Sequence, residues 1–561
     1  MSITPSSIKI SGGVPTLYID NAPVTPTAYI TYLTENNCYA DFAKAGIKLF
    51  SLPVFFCSHT FSEVSQLQSF SPGIFDTDPP DFSLFDRQIE EILEACPDAY
   101  IFPRVNVNLS PAWEEAHPDE LNDTPCDMHP LSKRRVCFSS DLWAEEICRL
   151  ITLYVRHVQS APYARHILGY QIAGGNTDEW YSFDQKGSIG KRSREKYSQY
   201  LAQYGLEDTE AEYYTFLSYM IAERIRLFAS HIKALTENKQ VVGTFYGYSL
   251  ITNRQWLQHA LYRLLDGSEI DFICNPPNYA ETRKPGRDHF AYVPVDSLKL
   301  HGKLLFAEND VRTHLSRPVN DTAHYNTPIW FGPDPETTKE VMLLHFARVI
   351  THGHASWWFD MWGGWYKDDR YMSLIASLRN VAERALSMPR KSAAEVAVFL
   401  DEHAYAYLPN GTSVNYMVDL LANSGIPYDL YLTHDFEKAF SGYKAVCLLS
   451  AYPTKELKKA EKLLSESKIP HIIVKPDSAL ETSASVRAFA KDAGIHLYTD
   501  KPAVVHASQS HLFVHTVNDE PLKLCLPEGV KAENALTGEA VGSEIRLPAA
   551  HGILMELKRE N

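Results

Sequence analysis

Two glutamates, 129 positions apart, each follow an apolar run: Glu179 comes after His166–Ala173 and the polar Asn176-Thr177-Asp178, and Glu308 closes Lys303-Leu304-Leu305-Phe306-Ala307. Carboxyl groups carried on two strand ends can share the cleavage of a sugar linkage, one protonating the leaving oxygen while the other attacks or stabilises the anomeric centre. Trp180, next to Glu179, would supply an apolar wall that raises a carboxyl pKa. That favours Glu179 over Asp178 as the proton donor. Asp310 competes with Glu308, because residues two apart in an extended chain share a face.

Further polar and aromatic residues gather where apolar runs end. Phe102–Asn108 offers Arg104 and Asn106, and Pro111-Ala112-Trp113 opens the loop that follows. Tyr246 closes Gln240–Tyr246, and Tyr279 closes Asn275-Pro276-Pro277-Asn278-Tyr279. Asp310, Arg312 and His314 follow Glu308, and Trp357, Trp358, Asp360 and Trp362 cluster farther on. Amides and arginines suit sugar hydroxyls, and indoles suit the C–H faces of a sugar ring. Arg104, Asn106, Trp113, Asn176, Asp178, Tyr246, Tyr279, Asp310, Arg312, Trp358 and Trp362 are therefore candidate substrate contacts. Tyr279 is placed to hydrogen-bond the Glu308 carboxylate, and Arg104 to keep it ionised. Arg312 and His314 could reach a substrate or tie down their own loop, while His352 and His354 precede a strand and read as structural.

The elements that must carry these residues are eight candidate strands: Pro26–Leu33, Gly46–Phe56, Ala99–Asn108, His166–Ala173, Gln240–Tyr246, Ile270–Cys274, Lys303–Glu308 and Ala355–Asp360. Amphipathic stretches such as Phe85–Ala95, Leu142–Gln159, Tyr213–Thr236 and Glu336–Thr351 lie between most of them. Strands alternating with helices in this way predict an α/β fold, a (β/α)8 TIM barrel with its site at the strand C-termini. A doubly wound sheet is the alternative. A hairpin over Lys9–Ala22 precedes the barrel, so the first domain is expected over 1–387. After a proline and basic linker at Ser387–Ser392, shorter βα units predict a small open α/β domain over 393–500. Its Ala445–Leu449 has no glycine-flanked nucleophile turn, and no glycine-rich phosphate loop follows its strands. Short strands from His511 to Leu557 predict a C-terminal antiparallel β-sandwich over 501–561.

Composition narrows the partners. The 561 residues are 45% apolar and 12% aromatic, with a net charge of −16 and no long run of one sign. Such a surface disfavours nucleic acid and anionic membranes, which need a basic patch. Met1–Asp20 lacks a basic-then-apolar leader and no stretch has the ~20 apolar residues of a membrane span, so a cytoplasmic protein is expected. The nine cysteines, Cys38, Cys57, Cys96, Cys126, Cys137, Cys148, Cys274, Cys447 and Cys525, form no C-x-x-C pair and lie mostly in apolar runs. Buried thiols are expected, with a structural zinc site the alternative.

With the two strand-end glutamates and Gly46–Val54 as second strand, the chain resembles the large barrel clan of retaining β-glycosidases. Its three-part layout is most similar to family 42 β-galactosidases and their relatives. In that clan an asparagine directly precedes the acid/base glutamate, whereas here Thr177 and Asp178 separate Asn176 from Glu179. The resemblance implies a β-galactosidase working by double displacement, with Glu179 as acid/base and Glu308 as nucleophile, and no cofactor or metal. A β-glucosidase or acidic-sugar β-glycosidase of the same clan is the alternative, and a catalytically inactive carbohydrate-binding protein is the next. Short oligosaccharides or glycosides are the expected substrates. The comparable α/β domain of family 42 relatives packs subunits together, which implies a homo-oligomer.

Overall fold

The computed structural model describes residues 3–25, 27–60, 69–70, 72–123, 135–175, 179–181, 190–250, 258–278, 283–310, 312–316, 334–408 and 414–559. Eight parallel strands close into a barrel: β1 (Thr27–Thr31), β2 (Leu49–Phe55), β3 (Tyr100–Asn106), β4 (Gly169–Ala173), β5 (Val241–Phe245), β6 (Phe272–Asn275), β7 (Leu304–Asn309) and β8 (Ala355–Asp360). Each strand pairs with the next, and β8 returns to β1. Burial on both faces, with helices outside, is why these strands read as nearly continuous apolar runs.

The lower interior is filled by aromatic rings from four strands. Phe102 of β3, Phe272 of β6, Phe306 of β7 and Trp357 of β8 lie with neighbouring centroids 4.5–5.9 Å apart. Rings filling the interior in this way make the barrel a packed core rather than a pore. Gly243 of β5 makes room for this layer, since a Cβ there would lie 2.2 Å from the Phe272 ring.

Amphipathic helices cover the outside. The principal ones are α1 (Ser83–Ala95), α2 (Asp141–Ser160), α3 (Glu210–Leu235), α4 (Pro335–His352) and α5 (Asp369–Ala385). Their ends carry the expected chemistry. The Ser140 hydroxyl accepts the Trp143 N–H at 2.9 Å to start α2, and the Asp334 carboxylate accepts the Thr337 N–H at 2.9 Å, with Pro335 in the first turn of α4. Gly353 ends α4 at φ 68°, and Val14 approaches so closely that a Cβ would meet its methyl at 2.6 Å.

Val14 belongs to the antiparallel hairpin of Ser6–Ser11 and Val14–Ile19. The Ser6 hydroxyl donates to Leu168 O at 2.5 Å and accepts the Val241 N–H at 3.0 Å. Both partners stand at the entrances of β4 and β5, so the hairpin seats against the N-terminal end of the barrel and the C-terminal end is left for chemistry.

Beyond the barrel, β9 (Val396–Leu400), β10 (Tyr428–Leu432), β11 (Ala445–Leu449) and β12 (His471–Val474) form a parallel sheet in the order β10-β9-β11-β12. A five-stranded antiparallel sheet follows, formed by β13 (Val504–Ala507), β14 (His511–His515), β15 (Val530–Asn534), β16 (Ala540–Val541) and β17 (Gly552–Arg559) in the order β13-β14-β17-β15-β16. A two-stranded pair, Leu522–Lys523 with Glu544–Ile545, shares a core with it that includes Val505, Val514 and Met555. No helix among the described residues is long and apolar enough to cross a membrane.

Candidate active site

Above the aromatic layer the inward positions become polar. Arg104 lies two residues after Phe102, and Glu308 two residues after Phe306, so strand alternation lifts both onto the barrel axis. Arg104 is 1% exposed, and its Nη2 donates to Glu308 Oε1 at 2.9 Å. Its other donors go to Tyr32 Oη at 3.0 Å and Gln171 Oε1 at 3.2 Å. The guanidinium also lies over the rings of Phe245 and Phe359, at 4.6 and 5.4 Å. It is thus clamped on its edges by acceptors and on its faces by π systems.

Glu308 is 4% exposed. Burial pushes its carboxyl up to about 7, Arg104 opposes the rise, and the charges of Asp310 and Glu179 add to it. Asp310 is itself committed: Arg283 Nη2 donates to its carboxylate at 2.7 Å, with both side chains buried. The same guanidinium donates to Pro277 O at 2.9 Å and Asn278 O at 2.7 Å. Arg283 therefore binds the loop after β6 to the loop after β7.

Glu179 lies beside the end of β4. Residues 174 and 179 form a parallel bridge, and the Trp180 N–H donates to Gly174 O at 2.8 Å. Trp180 takes φ 64°, a left-handed conformation that bulky residues adopt only where the surroundings impose it. Its indole is fully buried between Phe138 and Phe228 of α3 and donates to Thr244 Oγ1 at 2.9 Å. The ring beside the Glu179 carboxylate is therefore not Trp180 but Tyr248, whose hydroxyl donates to Glu179 Oε1. Tyr248 packs edge-on against Tyr181 at 5.4 Å, and Gln258 Nε2 donates to Glu179 O at 2.7 Å.

The structure sorts the other sequence candidates. Asn106 lies two residues beyond Arg104 on the same face and is buried. Trp362 approaches Tyr32, centroids 6.4 Å apart, and so borders the Arg104 cluster. Arg312 lies over the Trp365 ring at 4.4 Å, and His314 pairs with Tyr371 of α5, which ties their loop down. Trp113 sits on the short helix Pro111–Ala116 and stacks on His117 at 4.4 Å. Asn176, Asp178 and Tyr279 lie outside the described residues.

Two candidates are corrected. Tyr246 faces the helices rather than the barrel axis, and its hydroxyl donates to Ser218 O of α3 at 3.0 Å. Trp358 likewise points outward, stacked on Phe346 of α4 at 5.6 Å with 3° between planes. Both are packing residues. Asp360 is outward as well and accepts the Tyr29 hydroxyl at 2.8 Å. Tyr32, Gln171, Tyr248, Gln258 and Arg283 complete the cluster without having been found in the sequence. Gln171 was visible only as a polar residue inside the apolar run Gly169–Ala173; its place opposite Arg104 is set by the register of the parallel β3 and β4 strands.

No protein-family model matches the sequence, and no curated protein sequence matches it. Solved structures match over nearly the whole chain. A β-galactosidase from Bacillus circulans sp. alkalophilus superposes with a TM-score of 0.64 at 13% identity, covering 95% of this chain and 98% of that one. A family 42 β-galactosidase from G. stearothermophilus gives 0.63 at 11% identity, covering both chains fully. An exo-carrageenase of the same family from Bacteroides ovatus gives 0.61 at 12% identity, covering 100% of this chain and 86% of that one. At such identities the likeness shows a shared fold, including the barrel and the sheets that follow it.

Proposed function

We propose that this protein is a retaining glycoside hydrolase that releases a terminal β-linked sugar, with a β-galactoside as substrate, Glu308 as nucleophile and Glu179 as acid/base. The observation that carries this reading is the buried Arg104–Glu308 pair on the barrel axis, with a second, tyrosine-held carboxyl close enough for its charge to act on the first. Likeness of fold to the β-galactosidases supports the choice of sugar.

In the first step the Glu308 carboxylate attacks the anomeric carbon as its bond to the leaving oxygen breaks, and Glu179 delivers its proton to that oxygen. In the second, Glu179 takes a proton from water, the water oxygen attacks the anomeric carbon, and Glu308 departs as carboxylate. Arg104 favours the ionised nucleophile throughout. The Tyr248 hydroxyl can donate to the Glu179 carboxylate or accept from its acid form, so this hydrogen bond survives both protonation states. A 5–5.5 Å carboxyl separation, about the retaining value, is what the mechanism requires.

The test is a panel of aryl β-galactoside, β-glucoside and β-glucuronide substrates run on wild type, Glu179→Gln and Glu308→Gln. Turnover of the galactoside, lost in Glu308→Gln, is the expected result. Preference for another glycone would move the substrate within the same mechanism. Sugar binding without turnover by folded wild-type protein would overturn the hydrolase reading in favour of a carbohydrate-binding role.

A further inference from the structure

The parallel sheet after the barrel reaches into the neighbourhood of Glu179. Glu402, two residues past the end of β9, is 1% exposed and accepts two backbone N–H groups at the start of a barrel-side helix: Leu261 to Oε2 at 2.9 Å and Tyr262 to Oε1 at 3.2 Å. Its own carbonyl accepts His259 Nδ1–H at 2.7 Å. One residue before that histidine, Gln258 donates to Glu179 O, and its Oε1 accepts the Tyr248 N–H at 3.4 Å.

The other side of the same loop is held too. Asn415, 7% exposed, donates through Nδ2 to Leu250 O, and its Oδ1 accepts the Tyr405 hydroxyl. Leu250 lies two residues after Tyr248, whose hydroxyl holds the Glu179 carboxylate. Both chain segments leading to the groups that grip Glu179 are thus anchored to buried polar residues from outside the barrel.

We propose that Glu402 and Asn415 are positioning residues for Glu179: as a two-point clamp they fix residues 246–250 and 258–262 after β5, and through Tyr248 and Gln258 they set the orientation of the acid/base carboxyl. This inference rests on the acid/base role proposed above. It gives the second sheet a part in the chemistry, beyond any part in assembly.

A general acid matters most when the leaving group is a poor one. Misplacing Glu179 should therefore slow release of a basic alkoxide or phenoxide and spare a dinitrophenolate, which departs without a proton. The experiment compares kcat/KM for phenyl and 2,4-dinitrophenyl glycosides of the same sugar. The proteins are wild type, Glu402→Gln, Glu402→Asp and Asn415→Asp, with Glu179→Gln as the benchmark and thermal melts reporting folding. Glu402→Gln turns one acceptor into a donor facing a backbone N–H, and Asn415→Asp removes the donor to Leu250 O. Each should lower phenyl glycoside turnover by roughly tenfold or more and dinitrophenyl turnover by less than about threefold, the bias expected when general acid catalysis is weakened. Glu402→Asp keeps a carboxylate and should recover part of the loss; it also replaces Glu402→Gln if that variant does not fold. Folded variants that lose both substrates equally, or neither, would overturn the clamp. A wild-type protein inactive on both would sink the hydrolase reading itself and this inference with it.

Discussion

Arg104 is the residue on which the proposed chemistry most depends, because it is the cation directly bonded to the buried Glu308 carboxylate. Arg104→Met keeps the bulk of the side chain but leaves that carboxyl with only the like charges of Asp310 and Glu179. Its pKa should climb above about 7, so the acid limb of kcat/KM moves to higher pH and turnover at neutral pH falls by roughly 10²-fold or more. A pH–rate profile checks both. In the wild type the sign is the same in kind: the raised carboxyl protonates as pH falls through about 7, and attack is lost on that side. Arg104 and Glu308 could be picked out in the sequence because a charged residue inside an apolar run has few structural explanations. Tyr248 and Gln258 could not, since their roles depend on how the loop after β5 folds back onto Glu179.

Strand parity explains what was and was not legible at the level of the element. In β8 the order Ser356-Trp357-Trp358-Phe359-Asp360 alternates out, in, out, in, out, with Trp357 paired in register with Glu308 and Trp358 with Asn309. Counting by twos from Glu308 across the register would have assigned Trp358 to the helix layer. The same count in β5 puts Phe245 inward under Arg104 and Tyr246 outward against α3. All eight barrel strands were visible as apolar runs, but proximity in sequence to a strand end does not say which face a ring takes. Consequences for stability and activity therefore separate. Trp358→Ala should lower stability by about 3–5 kcal/mol through the cavity it leaves against Phe346, and Tyr246→Phe by about 1 kcal/mol through the lost hydrogen bond to Ser218 O. Neither should change KM. Denaturant melts read beside steady-state kinetics test this, and a raised KM in a folded variant would return the residue to the site.

For the whole molecule, buried titratable groups set a pH window. Burial lowers His259 and His289 to about 3 and His511 and His515 to about 4, so the unfolded chain takes up protons that the folded one refuses, and stability is lost as pH falls from about 6.5. Burial raises Asp360 to about 6, and Glu308 and Asp429 to about 7. Their contribution is full below about 4.5 and disappears as pH rises through those values. Burial also lowers His345, His352, His354 and His506, so the histidines outnumber the raised carboxyls, and the melting temperature should fall as pH drops below about 6.5 and change little between about pH 8 and 9. A plateau running down to pH 4.5 would contradict this balance. We propose that the chain divides into three parts at about 387–393 and 500, and that copies associate through the α/β part. The first measurement is a trapping experiment. The protein is incubated with the 2-deoxy-2-fluoro dinitrophenyl derivative of whichever glycoside it hydrolyses, digested, and the labelled peptide sequenced by mass spectrometry. A single fluoroglycosyl ester on Glu308 is the predicted result; a label on Asp310 or Glu179, or turnover with inverted configuration and no label, would contradict the assignment.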